Sequence, residues 1–184
     1  QWADVEFFLL DDRWNKAPNE LNDPNKDYWG AKQLTWLLDQ LSTSRASFKI
    51  IVNGGQVVSP AKVFENMANY EAERTYLLKE LKNRKIPGVL FFTGDRHISD
   101  LNKLEREGTY PLYDLTVSPM TAGKADAVKQ DYNETLVPGT LVQERAFSKV
   151  EVTGPLKDRT LTITLFNVKG DVLWTKELKS NLLK

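Results

Sequence analysis

The chain has no cysteine, one histidine and two methionines in 184 residues. Absent thiols exclude disulfides, thiolate zinc sites and cysteine nucleophiles. Absent cysteine suits an oxidising and a reducing compartment equally, so it leaves location open. There is no charge of one sign to spare: Lys and Arg total 25, and Asp and Glu total 25. A balance of zero gives no electrostatic reason to expect nucleic acid or an anionic membrane surface. No run approaches the roughly 18 apolar residues of a membrane span. The opening "QWADVEFFLLDDRW" has no basic stretch ahead of its apolar one, so it does not read as a signal peptide. It also lacks an initiator Met and reaches a strand-like run within a few residues, which reads as a segment of a longer protein.

What is present is a set of short apolar runs, each closed by polar residues. "VEFFLLDDR" (5–13), "FKIIVNGG" (48–55) and "VLFFTGD" (89–95) read as strands buried on both faces. Between them lie two helical patterns. In "GAKQLTWLLDQLSTS" (30–44), Leu34, Leu37, Leu38 and Leu41 recur at helical spacing. "YEAERTYLLKELKNRK" (70–85) gathers Leu77, Leu78 and Leu81 on one side and basic residues at its end, where they suit the helix dipole. Pro87-Gly88 stops it. The order β-α-β-α-β predicts an α/β fold with a mostly parallel sheet. Residues 110–119 read as a further strand, and 120–139 as a polar loop or short irregular helix. Segments 140–154 and 159–178 alternate apolar and polar, the second as a hairpin turning at Asn and Gly residues. The chain therefore reads as one domain or part of one: a βαβαβ portion over 1–123, then a mainly hairpin portion over 124–184.

Parallel sheets gather ligands at the carboxyl ends of their strands. Here those ends are "DDR" (11–13), "NGGQ" (53–56) and "GDRH" (94–97). Asp95 and His97 flank Arg96 and pair a carboxylate with the only imidazole, a combination that suits Zn, Fe or Mn. Arg13 beside Asp11 and Asp12 could fork onto an anion while an acid orients it. Asn53 and Gln56 could meet an oxyanion or a metal-bound water. Each cluster also has an ordinary reading: a hydrogen-bonded histidine, a salt-bridge cluster, a glycine turn. Taken singly, the ordinary readings prevail.

Order and spacing favour more. The succession "LLDDRW", "FKIIVNGGQVVSP", "IPGVLFFTGDRHISDL" and "YPLYDLTVSPMTAG" resembles the PhoD-like alkaline phosphatases and phosphodiesterases of the calcineurin-like metallophosphoesterase superfamily. The resemblance spans about residues 3–123. It implies the C-terminal half of an α/β/β/α sandwich and a parent enzyme that hydrolyses phosphate mono- or diesters with metal ions at its strand ends. Those ions activate a water and clamp phosphate oxygens. Asp95 and His97 match the family's "GD-x-H" motif and are expected to be metal ligands. Asp11 and Arg13 match its "LD-x-R" motif, with Arg13 expected against substrate phosphate and Asp11 as its orienting partner. Asn53, Gln56 and Arg96 are expected to bind substrate or line the site.

The family's early motifs have no counterpart in this sequence. Two ligands out of the six or so that a two-metal site uses would hold an ion poorly. The resemblance therefore implies that the isolated chain is inactive and binds its metal weakly or not at all. It leaves Fe, Zn, Mn or Ca open as the ion in the parent enzyme, and suggests an exported or periplasmic location. The expected partners are a phosphate ester and an N-terminal half of the same protein. Without that half, a sheet edge and an apolar face would be uncovered, and a homodimer is one way to cover them. The competing reading is a non-catalytic α/β binding module that keeps a strand-end pocket without metals.

Overall fold

In a computed structural model of the chain, residues 1–125, 134–156 and 158–184 are described. Their first half is the expected alternation: β1 (Val5–Leu9), α1 (Ala31–Thr43), β2 (Phe48–Val52), α2 (Glu71–Asn83) and β3 (Val89–Thr93). Then follow β4 (Asp100–Leu104), β5 (Leu112–Thr116) and a meander of β6 (Ala146–Thr153), β7 (Thr160–Asn167) and β8 (Val172–Lys179). Part of the stretch read as a loop or irregular helix, 120–139, lies outside the described residues.

Five strands form one sheet in the order β1-β2-β3-β5-β4. The pairs β1–β2, β2–β3 and β3–β5 are parallel, and β4 runs antiparallel at the edge. This is the mixed α/β architecture that the alternation predicts. β4 is the strand that the sequence reading misses. Its "DLNKL" carries no continuous apolar run, because its buried side chains include Asp100 and Asn102. Those two polar groups are buried with partners, so polarity there does not mean exposure.

Helix α1 buries the four leucines that its spacing picked out, and α2 buries Leu77 and Leu81. Ahead of α1, the Glu73 carboxylate of α2 accepts from the main-chain N–H of Tyr28, Trp29 and Gly30 at 3.0, 2.7 and 3.3 Å. A charged acceptor from one helix thus holds the turn that starts the other. Central strand β2 is buried on both faces, as a continuous apolar run predicts. β1 departs from that expectation. Phe8 is buried, while Phe7 and Leu9, on the opposite face, are 46% and 74% exposed. β1 lies at the sheet margin, and there the face that carries Phe7 and Leu9 is left largely uncovered by the described residues.

The second sheet has the order β6-β7-β8, antiparallel throughout. Leu161, Ile163 and Leu165 alternate inward along β7. Asn167 organises the hairpin turn: its Oδ1 accepts from Lys169 and Asp171 N–H at 2.9 and 3.0 Å, and Gly170 takes the left-handed conformation at φ 88°. One cluster of buried side chains joins the two sheets. Polar ties reinforce it. Arg159 reaches Asp4 at 2.8 Å, and Trp174 donates to the Thr140 carbonyl at 2.9 Å.

Candidate active site

Three parallel strands end at one cleft of about 760 Å³ between the large sheet and β6. Its polar mouth holds Arg13, Asn53 and Asp95, one from the segment after each of β1, β2 and β3. Its apolar wall includes Val52, Phe92, Leu115, Phe147 and Val150. The topology alone brings these groups together, since parallel strands in adjacent positions deliver their carboxyl ends to the same side.

The segment after β1 is held by its own acids. Asp11 Oδ1 accepts from the main-chain N–H of Arg13 and Trp14 at 2.8 and 3.0 Å. These bonds favour the ionised carboxyl and lower its pKa, the Trp14 bond most. Asp11 therefore orients Arg13 through the backbone. The guanidinium itself is aligned by other acids, in place of the expected Asp11. Nη1 forms a charge-assisted bond with Glu65, and Nε lies 3.8 Å from Asp12. The Glu65 bond is the main cause that raises the Arg13 pKa, with smaller contributions from the charges of Asp12 and Asp95. The Arg13 side chain is still 58% exposed, so it is aligned and accessible.

Asp12 is nearly buried and works inward. Its Oδ2 accepts from Gly55 N–H at 3.0 Å and from the Tyr28 hydroxyl at 3.3 Å. The turn after β2 passes so close that a Cβ on Gly54 would sit 2.5 Å from that carboxylate. Glycine is required there by proximity. Burial, followed by the Asp12 charge, pushes the Tyr28 hydroxyl pKa far up, so it stays a donor. Asn53 is also fully engaged. It accepts from Trp29 Nε1 at 2.9 Å and donates to Tyr28 Oη and the Gly55 carbonyl at 3.0 and 2.7 Å.

The turn after β3 alternates outward and inward. Asp95 and His97 are exposed, and neither side chain makes a hydrogen bond or ion pair among the described residues. Both have left-handed backbones, φ 66° and 56°, a conformation that costs most residues about 1–2 kcal/mol. His97 does not line the cleft itself; it stands on the turn two residues beyond Asp95. Arg96 between them is buried, as is Gln56. The two bond to each other at 3.0 Å and lie outside the cleft lining. The structure thus places Arg13, Asn53 and Asp95 at one cleft and Asp11 and His97 outside its lining, while Gln56 and Arg96, expected to bind substrate or line the site, are buried inside the protein.

It misses Glu65, Asp12's inward role and two buried acids. Asp100 accepts from Gln56 at 3.1 and 3.3 Å and from Asn102 at 3.0 Å. Asp114 accepts from Val57 and Val58 N–H at 2.8 and 2.9 Å and from the Thr93 hydroxyl at 2.7 Å. Burial raises both carboxyl pKa values, that of Asp114 to about 6. An acid inside an apolar strand, as in "LYDLT", is the signal that could have flagged them.

The donor chemistry suits a metal in kind and falls short in number. A carboxylate and an imidazole are ligands for first-row ions. Among the described residues, however, no group of three or more His, Asp or Glu is placed to hold one. The site in this chain is thus a strand-end cleft of an α/β sheet that gathers an exposed arginine aligned by Glu65 and an outward-facing carboxylate, with an imidazole on the turn beside it. That is the class the fold and site define.

Residues 2–156 match the family model of the PhoD-like phosphatases, and the chain belongs to that family. The family hydrolyses phosphoesters and is in general metal-dependent. The chain is 29% identical to alkaline phosphatase D of Bacillus subtilis (strain 168) over 94 residues, which is 46% of this chain and 16% of that protein. It superposes on a solved structure of PhoD with a TM-score of 0.69 at 16% identity, over 95% of this chain and 42% of that one. The fold is therefore shared, and the chain spans less than half the length of these relatives.

Proposed function

We propose that this chain supplies the C-terminal wall of a metal-dependent phosphoester hydrolase whose complete centre includes a further segment of the same protein. The observation that carries the reading is the convergence of Arg13 and Asp95 on one strand-end cleft, with His97 beside them, in a chain of the PhoD-like family. Arg13, aligned by Glu65 and still exposed, receives a phosphate oxygen through its planar fork. Asp95 and His97 point outward with no side-chain hydrogen bond or ion pair among the described residues, which leaves their ligand atoms open to an ion. Bound metal would supply an activated water and neutralise phosphate charge. Asp11 fixes the Arg13 backbone, and Asn53, saturated by Trp29 and Tyr28, holds the wall of the cleft. The substrate is a phosphate mono- or diester, and Fe, Zn or Mn suits an imidazole-containing set better than Ca, which prefers oxygen donors.

The test uses the full-length protein with Asp95→Ala and His97→Ala. Each variant is expected to lose bound metal by elemental analysis and to lose at least about a hundredfold in activity on p-nitrophenyl phosphate or its diester. The isolated 184 residues are expected to hydrolyse neither ester with Mn, Zn or Fe added. Unchanged metal content in both variants would reject the ligand assignment and favour a binding module without metals.

A further inference from the structure

Gln56, expected to bind substrate or line the site, is 1% exposed, and its amide joins four separate segments. Oε1 accepts from Arg96 Nη1 at 3.0 Å and from Asn66 Nδ2 at 3.2 Å. Nε2 donates to Thr116 Oγ1 at 2.8 Å and to both Asp100 oxygens at 3.1 and 3.3 Å. These partners belong to the turn after β3, the loop before α2, the end of β5 and the start of β4. Arg96 is the one inward side chain between two exposed neighbours with left-handed backbones. The same turn carries tight main-chain bonds: Gly94 N–H to the Gly54 carbonyl at 2.9 Å and Arg96 N–H to the Gly94 carbonyl at 2.7 Å.

We infer that Gln56 is a positioning residue: through Arg96 it pins the 94–97 turn to the sheet and so holds Asp95 and His97 facing outward. The physical reason is the strain in that turn. Two non-glycine residues with left-handed backbones persist only where their surroundings fix them, and the buried guanidinium is the turn's side-chain anchor. A neutral amide that accepts from a guanidinium and donates to a carboxyl group also bridges Arg96 to Asp100 through hydrogen bonds to charged groups. Its importance for metal binding rests on the proposed ligand role of Asp95 and His97.

The full-length protein with Gln56→Met keeps the side-chain volume and loses every amide bond. Hydrogen exchange of the 94–98 amides is expected to accelerate at least about tenfold, with β1 and β2 unchanged. Titrated with Mn²⁺ alone, the same variant is expected to bind about tenfold or more weakly. Gln56→Glu paired with Asp100→Asn keeps the acceptor for Arg96, gives the new carboxylate an amide donor, and is expected to restore slow exchange at 94–98. Should Gln56→Met fail to fold, Arg96→Leu cuts the same bond from the turn's side and is expected to show the same local loss. Unchanged exchange at 94–98, or acceleration spread evenly over β1 to β5, would overturn the inference. Local acceleration with unaltered Mn²⁺ affinity would support the anchoring and instead reject Asp95 and His97 as ligands.

Discussion

Asp95 and His97 turn to solvent with no side-chain hydrogen bond or ion pair among the described residues, while Arg96 and Asp100, within a few residues, turn inward, Arg96 onto Gln56 and Asp100 onto Gln56 and Asn102. The rim and the buried polar layer come from one short stretch and have opposite energetics. At the rim, side chains are left unsatisfied and two backbones are strained. In the layer below, Asp100 and Asp114 accept from side-chain and main-chain donors, and Gln56 accepts from Arg96 and donates to Thr116 and Asp100. The difference teaches that polar residues in this chain serve two separate ends. On the proposed reading, those outside are kept available for a ligand, and those inside fix where the outer ones point.

The comparison can be broken most severely at Asp114. Asp114→Ala would leave the Val57 and Val58 N–H groups without their carboxylate acceptor and the Thr93 hydroxyl with the Thr116 hydroxyl, at 3.1 Å, in its place. It is expected to cost about 3–5 kcal/mol in urea unfolding. Asp95→Ala, on the rim, is expected to stay within about 0.5 kcal/mol of the parent sequence. Equal losses for the two would erase the distinction.

The pH dependence sharpens it next. Burial raises the Asp114 carboxyl from 3.8 to about 6. The folded state therefore keeps a proton that the unfolded state releases first. The stabilisation from this group is full below about pH 3.8 and is lost as pH rises through about 6. At about 1.4 kcal/mol per pH unit, the loss is on the order of 3 kcal/mol. Asp100, also raised, acts in the same direction. The bonds that Asp114 accepts from Val58 N–H, the Thr93 hydroxyl and Val57 N–H favour the ionised carboxyl and oppose the shift in part. In urea titrations, the stability of the parent relative to Asp114→Asn is expected to be greater at pH 4 than at pH 7. A pH-independent difference would show that Asp114 is ionised throughout.

The smallest effect has the opposite sign. Asp95→Gly and His97→Gly relieve left-handed backbones and are expected to stabilise the fold by about 0.5–1 kcal/mol each. Their metal binding in the full-length protein is expected to fall. If both substitutions destabilise, the rim side chains have structural partners after all.

Much of this was legible because it is local. The leucines at 34, 37, 38 and 41 and the apolar runs at 48–52 and 89–93 specify elements through spacing and continuity. The polar residues that close those runs marked the strand ends, and the motif order pointed to the family. β4 was not legible, because its buried Asp100 and Asn102 resemble a polar loop until their partners are known. Glu65 was not legible either. It sits in a loop 52 residues from Arg13, and no local pattern announces that it aligns the guanidinium.

By itself, then, the sequence determined the alternation of strands and helices, the zero net charge, the absence of thiol chemistry and the candidates at three strand ends. Hydrophobic periodicity and residue chemistry are properties of neighbours in the chain. Only the tertiary structure decided which candidates face outward. Asp95, Arg96 and His97 are consecutive, and their separation into two exposed side chains and one buried anchor depends on a glutamine forty residues earlier. Burial and hydrogen-bond partnership are properties of neighbours in space, and here the strand order β1-β2-β3-β5-β4 sets them.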